Sequence, residues 1–200
     1  MTNLALFDFD GTVTRVDTFR PFLRYSASST RLFCGTLLLA PMIAAYRAGV
    51  IAAPRMRAAA ALACFRGRPV AEVQAQGRRY SETLSDLMQD QARERLRWHE
   101  RKGDHIVVVS ASLEPYLKPW CESRGFDLIC TELASTNGVL TGGYLGGDCT
   151  GPEKARRVRT RFDLSKYRAV YAYGDSDEER ALLRLAHKRY FRWRELAEAT

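Results

Sequence analysis

The chain has 200 residues, of which 46% are hydrophobic, and its formal net charge is +8 at pH 7. That length accommodates one α/β core of about 130 residues and a small insertion, and the absence of repeats and low-complexity tracts argues against a repeat architecture. The five cysteines lack the paired spacing of a metal site, and Met1 to Asn3 lead directly into the first predicted strand. We therefore expect reduced thiols, no signal peptide and a cytoplasmic location.

The positive charge is concentrated in one part of the chain. Residues 15–84 contain eleven arginines, no lysine and three acids, so this segment carries the whole excess and the remainder is formally neutral. An arginine-rich segment above a binding site would attract anions. The alternative is that these arginines form a solvated helical surface.

Strand-like and helix-like segments alternate along the chain. The first strand is predicted at residues 4–8, and helices are predicted at 18–27, at 54–64 and over 69–101 with a break near Leu87. Later strands are predicted at 105–110, 127–131, 168–173 and 189–193, and a β-hairpin at 131–145 turns at Asn137-Gly138.

This order predicts an α/β fold with a Rossmann-like parallel sheet, helices on both faces of that sheet and an inserted α-helical cap domain. The predicted catalytic core comprises residues 1–14 and 88–200. The predicted cap comprises residues 15–87.

One predicted cap segment, residues 32–46, contains no charged side chain. As a helix these fifteen residues would span about 22 Å, which is less than the roughly 30 Å hydrocarbon core of a bilayer. Pro41 should also kink such a helix, so a membrane-spanning role is not expected. Two interpretations stay open: a buried cap helix or dimer face, and an interfacial segment with Arg31 and Arg47 at the level of the lipid headgroups.

The motif with the clearest chemical content is Asp8-Phe9-Asp10-Gly11-Thr12, directly after the apolar run Leu4–Phe7. Residues two apart in a strand point to the same side, so Asp8 and Asp10 can face one small space at the strand end. Mg²⁺ would relieve their mutual repulsion and their repulsion of a phosphate. One aspartate could then act as nucleophile and the other as proton donor. The alternative is a solvated Asp-Gly turn.

Three later segments could complete a phosphoryl-transfer site. Ser110 and the amide of Ala111 follow the apolar run 106–109 and precede a helix-like segment, so we expect them at a helix N-terminus, where anions bind. Lys154 lies in the first turn of a predicted helix, where a cation opposes the helix dipole, which favours a role in binding phosphate. Asp175 ends a strand in Gly174-Asp175 and is the candidate metal ligand.

Taken together, these motifs resemble those of the haloacid dehalogenase superfamily of phosphohydrolases, and the resemblance runs along essentially the whole chain. It implies Asp8 as the nucleophile, Asp10 as the general acid and base, Ser110 as a phosphate ligand and Lys154 as the charge-balancing lysine. The metal Mg²⁺ would be held by Asp8, the Asp10 carbonyl and Asp175. Glu179 occupies the position of a further acid, where aspartate is commoner.

The segments between the motifs resemble subclass I, type B, the phosphoserine phosphatase-like members with a helical cap. In that comparison Asp17, nine residues after Asp8, falls where a substrate amine is recognised. Ala59 stands where an arginine that binds the substrate carboxylate is expected, although Arg55 and Arg57 are close. Asp17, Arg55, Arg57 and Ala111 are therefore the candidate substrate-binding residues.

The sequence thus predicts a Mg²⁺-dependent phosphomonoester hydrolase that acts through an aspartyl-phosphate on a small phosphorylated metabolite. One alternative is a phosphatase of phospholipid headgroups, similar to phosphatidylglycerophosphate, working in peripheral contact with an anionic membrane. Another is a basic nucleic-acid-binding module with a vestigial site, disfavoured because aromatic residues are not interleaved with the cap arginines. The protein is expected to be a monomer or a homodimer.

Overall fold

The computed structural model describes residues 1–197, so the last three residues of the predicted core lie outside it. These residues contain one sheet of seven strands, arranged in the order β4-β3-β2-β1-β5-β6-β7. The five inner strands run parallel, and β4 and β7 are antiparallel edge strands. The strands are β1 (Leu4–Phe7), β2 (His105–Leu113), β3 (Asp127–Thr136), β4 (Val139–Leu145), β5 (Val170–Gly174), β6 (Lys188–Phe191) and β7 (Arg194–Glu195).

Helices cover both faces of the sheet, as the α/β pattern predicts. They are α1 (Phe19–Ser26), α2 (Ser29–Arg47), α3 (Ala53–Phe65), α4 (Val70–Thr83), α5 (Asp90–Arg101), α6 (Glu114–Glu122), α7 (Pro152–Arg161) and α8 (Arg180–Leu183). Short 3-10 turns occur at Leu84–Leu87, Leu164–Lys166 and Asp177–Glu179. The predicted fold class is confirmed, and the helix predicted over 69–101 is α4 and α5, separated by the turn at Leu84–Leu87.

Strand β1 lies at the centre of the sheet because all four of its side chains are apolar and can be buried on either face. Every residue of Leu4–Phe7 is 0% exposed. Ala5 and Phe7 pack in one apolar cluster with α6 and the first helices, and Leu4 and Leu6 pack in the other with Val158 of α7. Because β1 is the central strand, the residues that follow it lie at the middle of the carboxyl edge of the sheet.

The first four helices all lie within residues 15–87, and every strand lies outside that range. The two connections between these parts run side by side, because the Arg15 amide donates to the Leu87 carbonyl and the Gln89 amide donates to the Val13 carbonyl, both at 2.9 Å. Phe22 of α1 also packs on Tyr116 of α6, with 4.7 Å between ring centroids. The first four helices thus share a continuous apolar cluster with the core.

Helix α2 is longer than the predicted apolar segment 32–46 and has no buried residue along its length. It extends over nineteen residues, Ser29–Arg47, and passes through Pro41 without ending. Its length, about 28 Å, and its apolar composition make it the one helix among residues 1–197 that could cross a membrane by those criteria. None of the residues of Ser29–Arg47 is buried, so the interpretation of this segment as a buried cap helix is wrong, whereas a dimer face and an interfacial segment stay predictions.

Candidate active site

Three carboxylates meet at the carboxyl edge of the sheet. Asp8 directly follows β1, Asp175 directly follows β5, and Glu179 ends the 3-10 turn after it. One carboxylate oxygen from each of these residues lies within 4.8 Å of the others. Because β1 and β5 are parallel neighbours, their ends bring together aspartates that are far apart in the chain.

Lys154, in the first turn of α7, contacts two of these acids. Its Nζ donates to Asp8 Oδ1 at 2.5 Å and to Glu179 Oε1 at 2.9 Å. Lys154 is 1% exposed, and although burial lowers its pKa, Asp8 and Glu179 outweigh that effect and hold the pKa above its ordinary value. The lysine is therefore an ammonium at neutral pH, held by the carboxylates that it neutralises.

One ammonium does not balance three acids. Burial raises the pKa of Asp8 to about 7, Lys154 opposes this rise, and Glu179 adds to it. Burial is also the main cause that raises the pKa of Asp175. A cation bound among these three carboxyl groups would favour their ionised forms, which burial disfavours.

Both oxygens of Glu179 are engaged within the protein. Oε1 accepts from Lys154, and Oε2 accepts from the amide of Ser176 at 3.0 Å and from its hydroxyl at 2.5 Å. Ser176 and Glu179 form a capping box, which explains why a glutamate can be held rigidly in this place. The longer glutamate side chain reaches from the turn back to Lys154.

The loop after β1 is shaped around Asp175. Gly11 has φ +83°, and a Cβ atom at this position would lie 2.3 Å from Asp175 Oδ2. Thr12 donates its hydroxyl to Asp8 Oδ2 at 3.0 Å and lies 3.4 Å from Asp175 Oδ1. Gln89 fixes the same loop from the other connection, since its Nε2 donates to the carbonyls of Gly11 and Thr12.

Asp10 points away from this carboxylate cluster. Its Oδ1 accepts from the Thr18 amide at 2.7 Å and from the Thr18 hydroxyl at 2.6 Å, and its Oδ2 accepts from the hydroxyl of Ser112. Tyr116 lies 3.1 Å from the Thr18 hydroxyl. Burial raises the pKa of Asp10, while the hydrogen bonds from Ser112 and Thr18 oppose that rise because they favour the charged form.

Ser110 and Ala111 do not lie at a helix N-terminus, and that part of the prediction is wrong. Strand β2 continues to Leu113, which pairs with Thr131 of β3 after an irregularity in register and is itself the N-cap of α6. Leu113 is fully buried, so its packing keeps the chain extended past Ser110. Ser110 is buried at the end of β2, where its hydroxyl accepts from the Ser112 amide at 3.0 Å.

The candidate substrate-binding residues Asp17, Arg55 and Arg57 lie on different elements, before α1 and on α3. Asp17 is exposed, and its carboxylate accepts from the amides of Phe19 and Arg20 at 3.3 Å, which stabilises the start of α1. Arg55 is exposed on α3. Arg57 forms an ion pair with Asp148 at 3.0 Å and lies 3.7 Å from Glu178, so it joins α3 to the loop before α7.

Several residues of the site had not been singled out from the sequence. Thr12 could have been, because it belongs to the first motif. Thr18, Ser112, Gln89 and Ser176 are not among the predicted site residues, and the fold alone brings them to Asp10, to the loop after β1 and to Glu179.

Mg²⁺ fits this donor set. The residues offer hard carboxylate oxygens within 4.8 Å of one another, with no thiol or imidazole among them, and this is the chemistry that Mg²⁺ prefers. The presence of a single ammonium among three carboxyl groups is a second reason to expect a divalent cation. Asp8 and Asp175 are the side chains best placed to hold it, because both oxygens of Glu179 are already hydrogen-bonded.

Comparison with known proteins agrees with this geometry. Protein CicA of Caulobacter vibrioides is 33% identical over 194 residues, which cover 94% of this chain and 85% of that protein. A protein of unknown function from Bordetella pertussis Tohama I has the same fold, with TM-score 0.74 and 20% identity over 96% of this chain and 90% of its own. A substrate-bound phosphoserine phosphatase complex also shares the fold, with TM-score 0.65 and 16% identity over 96% of this chain and 86% of its own.

The family profile described as haloacid dehalogenase-like hydrolase matches residues 5–184, which include every candidate catalytic and metal-binding residue named above. The resemblance predicted from the motifs is therefore confirmed, and this chain belongs to the haloacid dehalogenase-like hydrolase family.

Proposed function

We propose that this protein is a Mg²⁺-dependent phosphomonoester hydrolase that forms an aspartyl-phosphate on Asp8. The observation that carries the proposal is the arrangement of Asp8, which is 4% exposed, hydrogen-bonded to Lys154 and within reach of Asp175 and Glu179. The hydrogen bond from Lys154 orients the carboxylate of Asp8 for attack. The same ammonium group places a positive charge where it can stabilise a phosphoryl group.

The first step is attack of an Asp8 carboxylate oxygen on phosphorus. An oxygen–phosphorus bond forms at Asp8, the bond to the leaving oxygen breaks, and that oxygen takes the proton of Asp10. Lys154 and Thr12 hold the two oxygens of Asp8 in place before the attack. Mg²⁺ bound by Asp8, Asp175 and the Asp10 carbonyl would supply positive charge to the phosphoryl oxygens.

Asp10 acts in both halves of the reaction. It gives its proton to the leaving oxygen, then removes a proton from the water that attacks the phosphorus and releases Asp8. Burial raises the pKa of Asp10, which favours the protonated form that the first half needs. The hydrogen bonds from Thr18 and Ser112 stabilise the carboxylate that the second half needs. In the structure the Asp10 carboxyl group is hydrogen-bonded to Thr18, so its side chain must rotate toward the leaving group before it can donate the proton.

The substrate in this proposal is a small phosphorylated metabolite bound between the cap, residues 15–87, and the core. Phosphoserine itself is not favoured by the residues present. Asp17 is engaged with the start of α1, and Arg57 is paired with Asp148. Arg57 is therefore not free to bind the carboxylate of an amino acid in the way that the resemblance to phosphoserine phosphatase implied.

A second candidate substrate, a phospholipid with a terminal phosphomonoester, is favoured by a cleft of about 570 Å³ between α1 and the α2–α3 pair. Its lining combines apolar side chains with arginines, which suits a molecule that is both apolar and anionic. Asp17 also lines this cleft and precedes Thr18, which contacts Asp10. The apolar lining residues include Leu32, Leu39, Ile43 and Met56, and the arginines include Arg20, Arg24, Arg31 and Arg47.

The test is phosphate release from p-nitrophenyl phosphate, phosphoserine, glycerol phosphate and phosphatidylglycerophosphate, each with Mg²⁺ or with EDTA. We expect turnover that requires Mg²⁺ and is lost in Asp8→Asn. Asp177→Asn is the matched control, because Asp177 lies in the last motif but its side chain is 78% exposed. Equal turnover by Asp8→Asn and the wild type would contradict the proposal.

A further inference from the structure

We propose that the outward face of α2 docks on the surface of a membrane that contains anionic lipid. We call this surface the α2 face. It consists of Phe33, Cys34, Leu37, Leu38, Pro41 and Ala44, which are all exposed. The proposal concerns where the protein works and does not depend on the chemistry proposed for Asp8.

The α2 face is strongly apolar and open to solvent. Phe33 is 71% exposed, Leu37 is 69% exposed and Leu38 is 76% exposed. A helix on the surface of a soluble protein ordinarily carries charged residues on its outward side. Helix α2 has none between Arg31 and Arg47. A contiguous apolar surface of this kind indicates a binding partner.

The inner side of α2 is held by the rest of the cap. Gly35 faces α3 so closely that a Cβ atom there would lie 3.3 Å from the Cβ of Ala63. Helix α3 is in turn fastened to the core, because Leu62 packs against Gly142 of β4 and Arg57 pairs with Asp148. Crossing a bilayer would require α2 to separate from α3. The structure therefore favours a helix that lies on a membrane over one that spans it.

The charge near the α2 face favours an anionic occupant. Arg31 and Arg47 stand at the two ends of the uncharged stretch of α2, Arg24 lines the cleft on the other side of the helix, and residues 15–84 carry the whole net charge of the chain. Arg24 and Arg47 form no ion pair with a carboxylate within residues 1–197. Anionic headgroups complement this surface, while a second copy of the chain would bring another strongly basic cap against it.

The experiment is sedimentation of the full chain with vesicles of phosphatidylcholine alone and with vesicles that also contain phosphatidylglycerol, at low and at high salt. The double variant Leu37→Glu/Leu38→Glu places two acids on the α2 face without disturbing a buried side chain. Leu145→Glu is the matched control, because Leu145 is a leucine of β4 that is 61% exposed and lies outside the cap. Activity on p-nitrophenyl phosphate is measured for all three proteins.

We expect the wild type and Leu145→Glu to sediment with the anionic vesicles at low salt only, and the double variant to bind on the order of 100-fold more weakly. Activity on the soluble ester should be equal in all three proteins, which separates a loss of docking from a loss of folding or chemistry. If all three proteins are inactive but dock as expected, the chemistry proposed for Asp8 fails and the docking proposal stands.

Three results would overturn the proposal. The first is a wild type that does not bind anionic vesicles. The second is a double variant that binds as well as the wild type. The third is binding that resists an alkaline wash, which would identify an inserted helix. If the wild type is instead a dimer that the double variant converts to a monomer, and it does not bind vesicles, the α2 face belongs to a second copy of the chain.

Discussion

The Nζ atom of Lys154 lies 2.5 Å from Oδ1 of Asp8, and both side chains are buried at the carboxyl edge of the sheet. The two residues are 146 positions apart in the chain and are brought together by the end of β1 and the start of α7. Removing one member of a buried ion pair leaves the other unpaired, which is far more costly than losing a surface pair.

Replacing Lys154 with methionine should reduce kcat by about 100- to 1,000-fold, because the phosphoryl group loses a fixed positive charge held by a buried side chain. Lys166→Met serves as the control, since the Lys166 side chain is 78% exposed. Steady-state kinetics with saturating Mg²⁺ provide the measurement. A variant at Lys154 that retains wild-type kcat would show that the lysine only stabilises the fold.

Mg²⁺ should stabilise the folded protein, because the cation relieves the repulsion among Asp8, Asp175 and Glu179. Free Mg²⁺ at about 100 times its Kd should add about 2.7 kcal/mol to the free energy of unfolding. Asp175→Asn should remove most of this gain, whereas Asp177→Asn should keep it. Thermal unfolding across a series of Mg²⁺ concentrations measures the effect, and an equal gain in both variants would place the metal elsewhere.

Gly11→Ala should abolish the response to Mg²⁺. The new methyl group would lie 2.3 Å from Asp175 Oδ2, so the carboxylate must move out of the cluster. Gly103→Ala is a control for the backbone, because Gly103 also has a positive φ, +66°, but a Cβ atom there meets nothing within 4 Å. The left-handed conformation should lower the free energy of unfolding of each variant by about 1–2 kcal/mol. Only Gly11→Ala should lose Mg²⁺ binding, as titration calorimetry can show.

Thr18→Val should move the alkaline limb of the kcat/KM profile to higher pH. The Thr18 hydroxyl stabilises the charged form of Asp10, so its removal raises the pKa of that carboxyl further and keeps the general acid protonated to higher pH. Thr160→Val, which removes a hydroxyl that donates to a carbonyl of α7, should leave the profile unchanged. A profile of Thr18→Val that coincides with that of the wild type would exclude Thr18 from this role.

His99 should make the stability of the protein fall in acid. It is 0% exposed and lies 2.7 Å from Asp104 and 2.9 Å from the Tyr173 hydroxyl, and burial lowers its pKa below the ordinary value of 6.5 although Asp104 opposes this. The unfolded chain therefore binds this proton at a higher pH than the folded chain does. The free energy of unfolding should decrease as the pH falls below about 6.5.

Urea unfolding at several pH values tests this expectation. His99→Gln should be less stable at neutral pH, because it alters a buried hydrogen-bonded chain, but its free energy of unfolding should depend less on pH below about 6.5. The slope of the free energy of unfolding against pH therefore reports the titration of the imidazole, whereas the value at neutral pH reports the structural cost of the substitution. Parallel curves for the variant and the wild type would assign the acid sensitivity to other groups.

Much of the fold and of the site could be predicted from the sequence because the signals are local. The run Leu4–Phe7 is apolar throughout and is followed by two aspartates, so it identifies a central strand and the edge at which the chemistry lies. The same logic applies to Gly174-Asp175 after β5. Lys154 stands out because a cation in the first turn of a helix is unfavourable without an anion to bind.

Other features could not be predicted because they depend on tertiary contacts. The packing of Leu113 on β3 keeps β2 extended, and this moves Ser110 away from a helix N-terminus and brings Ser112 to Asp10. Arg57 appears in the sequence as one basic residue among many, and only the fold pairs it with Asp148. Apolar composition suggests burial for α2, but its outward face has no partner within residues 1–197.

The most direct test of the central claim is to locate the phosphoryl group during turnover. The wild type is mixed with Mg²⁺ and an excess of p-nitrophenyl phosphate, quenched in acid within one turnover, digested and analysed by mass spectrometry. The account predicts one phosphoryl group on the peptide that contains Asp8, removable by hydroxylamine and absent from Asp8→Asn. A phosphoryl group on another residue, or turnover by a protein that never carries one, would contradict it.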